Sequence, residues 1–246
     1  MKAPRWLALL AGALGCGLAC AQDISLVTAT PGLNGGTSYA VPVQTLLLLT
    51  AMSFLPSALM LMTSFTRILI VFSLLRQALG LQSMPPNAVL VALSLFLTLF
   101  VMNPVLEKIQ TQAWQPYTKK QIGLEEALDK GSRPLKEFML QHTRDTDLAL
   151  FSRLSRTPLT DRDAVPLRVV VPAFAISEIR TGFLIGFVIF LPFVVIDLAV
   201  ASILTSLGMV MVSPVMFSLP LKLIIFTLAD GWSLLAGSLV ESFLTR

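Results

Sequence analysis

The feature that most constrains this chain is the uneven distribution of its charged residues. Four stretches contain no Asp, Glu, Lys or Arg, and they cover residues 24–66, 77–106, 181–196 and 198–221. A helix that crosses a bilayer needs about 20 mostly apolar residues, so these stretches predict an all-α membrane protein with four hydrophobic segments. The composition, with 55% hydrophobic and 13% charged residues, excludes an ordinary soluble enzyme, a disordered chain and a basic nucleic-acid-binding domain.

The remaining charge is concentrated in one polar insert at residues 107–165. The insert holds ten Lys or Arg and nine Asp or Glu, which is 19 of the 32 charged residues in the chain. Apolar residues recur in it at helical spacing. We therefore expect a small helical insert of two or three short amphipathic helices, one of which starts at Ser132 and Pro134.

The N-terminus has the layout of a secretory signal peptide. Residues 1–21 combine a basic start, a short apolar run and a small-residue site that ends at Ala21, so we expect cleavage after Ala21. The alternative is an uncleaved anchor helix. Cys16 and Cys20 are the only cysteines, and a chain cleaved at this site has no thiol for a disulfide or a metal.

The sequence divides into five regions on this reading. They are the signal peptide (1–21), an extracytoplasmic leader of loop-forming residues (22–42), a hydrophobic helical hairpin (43–106), the polar insert (107–165) and a second hydrophobic hairpin with a gate loop (166–246).

The hydrophobic segments carry their own boundary signals. The first segment starts near Val43. We expect the second at residues 88–102, ending at Asn103-Pro104, the third at 176–207 and the fourth at 215–244. Gly80 and the run Met84-Pro85-Pro86-Asn87 predict a helix stop and a turn. Proline removes a helix hydrogen bond, so we expect kinks at three internal prolines: Pro56, Pro192 and Pro220. We expect Pro158, Pro166 and Pro172 to interrupt helical structure where the chain leaves the insert.

The signal peptide also predicts the orientation. If the mature N-terminus lies on the periplasmic side, the first segment crosses the membrane toward the cytoplasm and the second crosses back. The insert that follows then faces the periplasm. The turn at 62–87 has two Arg and no acidic residue, as expected for an inside loop. The ten Lys or Arg of the insert favour the cytoplasm by simple counting, but this rule weakens for long loops.

The residues of the chain show no pattern typical of an enzyme, so we expect no catalytic activity, no cofactor and no metal site. His142 is the only histidine, and no Gly-rich phosphate loop or hydrolase motif is present. The pairs Asp145/Asp147 and Asp161/Asp163 hint at a cation site, but two aspartates lack the remaining ligands. A solvated charged face is the favoured interpretation.

Ionisable residues inside the apolar segments are the most informative side chains. A charge at the centre of a bilayer costs about 2.5–3.5 kcal/mol on insertion scales, so such residues usually face a partner or water. Asp197 and Lys222 have opposite signs and lie in opposite halves of the second hairpin. We expect them to pair, within the chain or between subunits, and the alternative is separate snorkelling to the interface. Glu178, Arg180 and Asp230 lie in similar surroundings.

Small and soft residues in the second hairpin suggest close packing and a gate. Gly182 and Gly186 form a GxxxG pattern that allows close helix approach. Further along, Gly208 and Pro214 enclose a break that carries Met209 and Met211. Flexible thioethers of this kind can fill a gap and rearrange, so a ring of them could close a pore. Ordinary packing at a kink is the competing interpretation, and from spacing alone it is the favoured one.

Long motifs from about Gln44 to the C-terminus resemble a known family. They are Phe65-Thr-Arg-Ile-Leu-Ile-Val-Phe72, Pro85-Pro-Asn87, Arg133-Pro-Leu-Lys-Glu-Phe-Met139, Pro172-Ala-Phe-Ala-Ile-Ser-Glu-Ile179, Gly182-Phe-Leu-Ile-Gly-Phe187, Pro192-Phe-Val-Val-Ile-Asp197, Leu219-Pro-Leu-Lys222 and Asp230-Gly-Trp232. With them the chain resembles the FliP family of the flagellar type III export gate and its relatives in virulence injectisomes.

The resemblance implies a homo-oligomeric ring in the bacterial inner membrane, within the flagellar basal body. It implies the membrane partners FliQ and FliR, other export-apparatus components, and unfolded flagellar subunits as the exported cargo. It further implies kinked hairpins raised toward the periplasm, with Met209 and Met211 as the gating gasket. Val210 stands where many relatives have a third methionine, so it is expected to close part of the gasket, and Pro192, Gly208 and Pro214 shape the hairpin around it.

The chain differs from the family pattern at two further positions, and three other functions remain as alternatives. Ser213 replaces a proline of many relatives, and Leu184 replaces a polar residue. The alternatives to a flagellar export channel are the injectisome equivalent, a small-solute or ion carrier that binds near Asp197 and Lys222, and an intramembrane hydrolase that uses Asp197 and Asp230.

Overall fold

A computed structural model describes residues 28–31, 37–40, 43–157, 161–209 and 211–244. The signal peptide at 1–21, most of the leader and Val210 lie outside the described residues, and so does Pro158. The chain forms two compact units, one at residues 1–57 and one at 58–246.

The first unit contains a short hairpin and most of a helix. Strand β1 (Thr28–Pro31) pairs antiparallel with β2 (Thr37–Ala40), with Thr28 opposite Ala40. The prediction of loop structure throughout the leader is wrong at these residues, because threonine and tyrosine favour strands. Helix α1 (Val43–Leu61) begins here and contains Pro56.

The second unit is built from helices around one long helix. Its elements are α2 (Phe65–Ala78), α3 (Asn87–Ile109), a π-helical turn (Gln110–Trp114), α4 (Gln115–Thr118), α5 (Leu124–His142), α6 (Asp145–Leu154), α7 (Leu167–Ser206), α8 (Val215–Leu228) and α9 (Gly231–Leu244). Helix α7 is 40 residues long, and α2, α5, α6 and α8 all pack against it.

Two helices in the described part of the chain are long and apolar enough to cross a membrane. Residues 87–118 form a continuous helix of 32 residues, and α7 forms another of 40 residues. The described residues contain up to four such spans if each of two bent helix pairs counts as one, and α8 and α9 make one of those pairs with a bend of 62°. This architecture confirms the prediction of an all-α membrane protein.

The core joins the hydrophobic helices to the polar insert. Side chains from α2, α3, α5, α6, α7 and α9 meet in one continuous apolar cluster. Its fully buried members include Ile68, Val71, Phe72, Met139, Leu148, Val170, Phe174 and Leu239. The insert is therefore part of the same packed body as the membrane helices, because its amphipathic helices bury their apolar faces against α7.

The predicted end of the second hydrophobic segment at Asn103-Pro104 is wrong. Helix α3 passes through Pro104 and ends at Ile109, and the π-helical turn continues it. Val101, Met102 and Val105 are buried on both sides of the proline. This packing stabilises the helix on either side, so the missing backbone hydrogen bond does not end it.

The predicted helix start at Ser132 and Pro134 is also wrong. Helix α5 begins at Leu124 and contains Pro134 as a buried residue. Glu125 and Glu126 lie in its first turn, where acidic side chains favour the positive end of the helix dipole. The charge pattern marks this start better than the proline does.

Two boundaries of the second hairpin differ from the prediction as well. Helix α7 begins at Leu167, directly after Pro166, and carries Pro172 within it. The predicted fourth segment is divided at Asp230, which has a φ of 48°, while Pro220 lies inside α8. The predicted stop at Gly80 is confirmed, because α2 ends at Ala78 and Gly80 has a φ of 77°.

Candidate gate loop and ion pairs

The candidate gate loop connects α7 to α8 at residues 207–214. Helix α7 ends in a Schellman motif, in which the Gly208 N–H donates to the Thr205 carbonyl and the Met209 N–H to the Leu204 carbonyl, both at 3.0 Å. Gly208 has a φ of 77°, a conformation that glycine adopts without strain. Pro214 then precedes α8 and cannot extend α7, so the sequence encodes a sharp break at this point.

The two described methionines of the loop are exposed. Met211 exposes 99% of its surface and Met209 exposes 39%. Val210, the third predicted gasket residue, lies outside the described residues. A flexible apolar side chain that is almost fully exposed at a loop tip is available for contact with another chain.

The structure brings Asp197 and Lys222 together within one chain. The Lys222 Nζ donates to Asp197 Oδ2 at 2.6 Å and to the backbone carbonyl of Ala78 at 3.0 Å. The lysine side chain is buried and the aspartate side chain is 37% exposed. The second carboxylate oxygen, Oδ1, is buried without a hydrogen-bond partner among the described residues. These contacts join α2, α7 and α8 around one cation.

A second ion pair, which is fully buried, was not predicted from the sequence. Arg67 on α2 donates to Glu178 on α7, and both side chains are fully buried. The guanidinium also donates to Ser242 Oγ at 3.2 Å and lies 3.8 Å from the ring centroid of Phe243. An arginine within an apolar motif was the available signal for this site, but 111 residues separate the two partners.

The other predicted ionisable residues occupy different positions. Arg180 is exposed on α7. Asp230 lies at the break between α8 and α9, where it accepts a hydrogen bond from Ser233 Oγ at 3.0 Å. Two carboxylates that share a proton in a hydrolase site form a hydrogen bond with each other. Among the described residues, Asp197 and Asp230 form no such bond.

The aspartates of the insert serve local protein contacts. Asp145 forms an ion pair with Arg162, and Asp147 accepts a hydrogen bond from Ser177 Oγ at 2.7 Å. Asp161 Oδ1 accepts from the Asp163 N–H at 3.0 Å. No group of three metal-binding side chains occurs within the described part of the chain.

His142 belongs to the buried packing between the insert and α9. Its Nδ1 lies 2.8 Å from the Phe138 carbonyl and its Nε2 lies 3.3 Å from the Phe243 carbonyl. The ring also packs against the rings of Phe138 and Phe243, at centroid distances of 4.5 and 5.2 Å and with interplanar angles of 41° and 49°.

The two predicted packing glycines lie where α2 approaches α7 closely. A Cβ placed on Gly182 would lie 3.2 Å from Ile70 Cγ2, and one on Gly186 would lie 2.2 Å from Leu74 Cδ1. Pro192 lies inside α7. The GxxxG pattern therefore serves contact within the chain, where small residues let two helices approach.

Comparison with known proteins identifies the family. The FliP family profile matches residues 48–239. A Flagellar biosynthetic protein FliP from Pectobacterium carotovorum subsp. carotovorum is 55% identical over 224 residues, which cover 91% of this chain and 86% of that protein. The protein of the same name from Bacillus subtilis (strain 168) is 52% identical over 203 residues, covering 82% of this chain and 91% of the relative.

A third relative of that name is longer than this chain. The protein from Buchnera aphidicola subsp. Acyrthosiphon pisum (strain APS) is 51% identical over 213 residues, which cover 86% of this chain and 56% of that protein. The match of the family profile and the level of identity lead to one conclusion. The chain belongs to the FliP family, together with the flagellar biosynthetic proteins that it matches.

Proposed function

We propose that this chain is a pore-forming subunit of the flagellar type III export gate, which conducts unfolded flagellar subunits across the inner membrane. Membership of the FliP family and the long apolar helices support the coarser part of this statement, a membrane-embedded component of the flagellar export apparatus. The pore and its gate are the finer part.

The observation that carries the proposal is the exposed thioether loop at 207–214. Met209 and Met211 lie at a sharp break between two apolar helices, and Met211 has almost no contact with its own chain. In a ring of copies, such loops would meet around a common axis. Apolar side chains at a constriction exclude water and ions, and the flexible thioether allows them to rearrange as a chain passes.

The exposed face of α7 supports an assembly of several chains. Phe183, Phe187, Val188 and Val195 each expose more than half of their surface. Arg180 is exposed on the same helix, and a cation that faces lipid is costly. A face that combines these groups fits contact with neighbouring proteins better than contact with lipid. We propose a homo-oligomeric ring with FliQ and FliR as partners.

In the proposed topology the insert lies in the periplasm. The signal peptide is cleaved after Ala21. The sequence of residues 1–21 supports this orientation. Helices α5 and α6 are rich in exposed charged residues, as expected for a segment that faces water.

The leakage of small ions across the membrane tests the gate. We expect cells that carry Met209→Ala together with Met211→Ala to leak ions, because the shorter side chains no longer fill the constriction. The full chain is expressed with its partner subunits, and ion flux is measured against wild type.

Met52→Ala is the matched control, because Met52 is an exposed methionine on α1 outside the loop. It should leave the membrane tight. A double variant as ion-tight as wild type, with normal amounts of protein in the membrane, contradicts the proposed gate.

The injectisome equivalent is the alternative within the same family. The matched relatives carry flagellar names, and this favours the flagellar system. Loss of swimming on deletion of the gene supports the flagellar function, and normal swimming contradicts it.

A further inference from the structure

We propose that Lys222, Asp197 and the backbone carbonyl of Ala78 form a three-way clamp that holds the gate loop in its closed position. The clamp is a positioning device and does not itself line the pore. The inference rests on the proposed function, since it concerns the control of the same loop. Its parts lie on three elements: Ala78 ends α2, Asp197 lies on α7 and Lys222 lies on α8.

The clamp lies at similar distances from the two ends of the gate loop. Asp197 precedes Leu207 by ten residues, and Lys222 follows Pro214 by eight. At 1.5 Å per helical residue, these separations are roughly 15 and 12 Å. The ion pair therefore joins both legs of the hairpin at one level, and the loop with its methionines projects beyond it.

The two legs share few polar contacts besides this one. Among the described residues of α7 and α8, the Lys222–Asp197 contact is the side-chain hydrogen bond that links the two helices. Beyond the clamp, both legs present exposed apolar side chains, among them Ile203, Leu207, Val215 and Met216. The direction of each leg relative to the other thus depends on this contact together with the apolar packing of Phe193 on α7 against Phe226 on α8.

The bond to Ala78 anchors the hairpin to a rigid part of the molecule. The last carbonyls of a helix lack an intrahelical N–H partner, and a cation at this end is favourable. Helix α2 is itself fixed against α7 by the close approach at Gly182 and Gly186. A Cβ on Gly80 would lie 3.9 Å from Val215 Cγ1 and 4.0 Å from Leu219 Cδ1, so the first turns of α8 also lie against the chain that follows α2.

Burial makes the lysine difficult to replace. The Lys222 side chain is almost fully buried, whereas Asp197 is partly exposed. A charge-assisted hydrogen bond between buried groups is stronger than a neutral one, and removal of one partner leaves the other without compensation. Loss of Lys222 removes both contacts of the clamp, while loss of the Asp197 charge leaves the bond to Ala78.

Ion leakage in the assembled gate tests the clamp, with the full chain expressed together with its partner subunits. We expect Lys222→Met to raise the leak per assembled complex by about ten- to a hundredfold, which corresponds to the loss of a buried charge-assisted hydrogen bond. Asp197→Asn should raise it less. Asp230→Asn is the matched control, because Asp230 is an acidic residue of the same region that is bonded to Ser233 and lies outside the clamp.

The double variant D197K/K222D separates a three-way clamp from a simple ion pair. The exchange restores two opposite charges, but it places a carboxylate near the carbonyl of Ala78, and two acceptors repel. We expect a leak between those of the wild type and of Lys222→Met. Full recovery contradicts the bond to Ala78 as part of the clamp, and a leak no lower than that of the single variants contradicts the pairing.

The amount of assembled complex distinguishes gating from assembly. If Lys222→Met lowers the amount of complex while the leak per complex stays at the wild-type level, the clamp hypothesis is wrong. The methionine double variant separates this inference from the proposed function. A leak from that variant with none from Lys222→Met rejects only the clamp, whereas no leak from the methionine variant rejects the gate itself.

Discussion

Two ion pairs between the apolar helices dominate the chemistry of individual residues in this chain, one fully buried and one partly buried. Asp197 and Lys222 could be predicted as partners, because they are opposite charges in adjacent apolar segments. Arg67 and Glu178 could not, because 111 residues separate them and a single sequence does not show which distant charge fills a buried position. A buried charge requires a partner, so the sequence indicates the need for one without naming it.

Loss of one partner of the Arg67–Glu178 pair should destabilise the chain more than loss of both partners. We expect Arg67→Met to lower the free energy of unfolding by about 3–5 kcal/mol, because Glu178 loses its buried cation. Adding Glu178→Met should recover much of this loss. Thermal unfolding in detergent measures both effects.

An exposed ion pair provides the control for this prediction. Lys130→Met removes the contact with Glu126 on the surface of α5, and we expect a change below about 1 kcal/mol. Equal losses for Arg67→Met and Lys130→Met would show that the buried pair contributes no more than a surface pair.

At the scale of whole helices, positive backbone angles mark the breaks better than prolines do. Helices α1, α3, α5, α7 and α8 all contain internal prolines. Five of the breaks between described helices contain a residue with a positive φ, which is Gly80, Lys120, Arg156, Gly208 or Asp230. The breaks at 62–64 and 143–144 contain none. Packing on both sides holds a helix through a proline, as at Pro104, and a single sequence does not reveal this packing. The hydrophobic segments were therefore predictable, while several of their ends were not.

The approach of α2 to α7 gives a prediction at the same scale. We expect Gly186→Ala to lower the free energy of unfolding by about 1–3 kcal/mol, because the added Cβ overlaps Leu74 and forces the helices apart. Thermal unfolding in detergent measures the change, and Leu74→Ala in the same chain should restore part of the loss.

Gly237→Ala on α9 is the matched control, because a Cβ at this position meets no atom within 4 Å. Alanine favours a helix over glycine, so this variant should be as stable as wild type or slightly more stable. A loss at Gly186 no larger than at Gly237 would contradict the close packing of α2 and α7.

For the whole molecule, the distribution of charge predicted the fold class, an all-α membrane protein. It did not predict that the insert shares one core with the membrane helices, because that contact depends on residues far apart in the chain. Large apolar side chains remain exposed along α7, and the proposed ring would cover part of this surface. The proposed ring, with the methionine loops at its axis, is the account that joins these observations.

Cross-linking to an arrested exported chain tests this account most directly. A photoreactive residue is placed at Met211 in the full chain, and a flagellar subunit is stalled during export by a folded fusion partner. We predict a cross-link between position 211 and the stalled subunit, and none from Leu128, another exposed apolar position, which lies on α5. Cross-links from position 211 to lipid alone, with the stalled subunit present in the gate, would contradict the account.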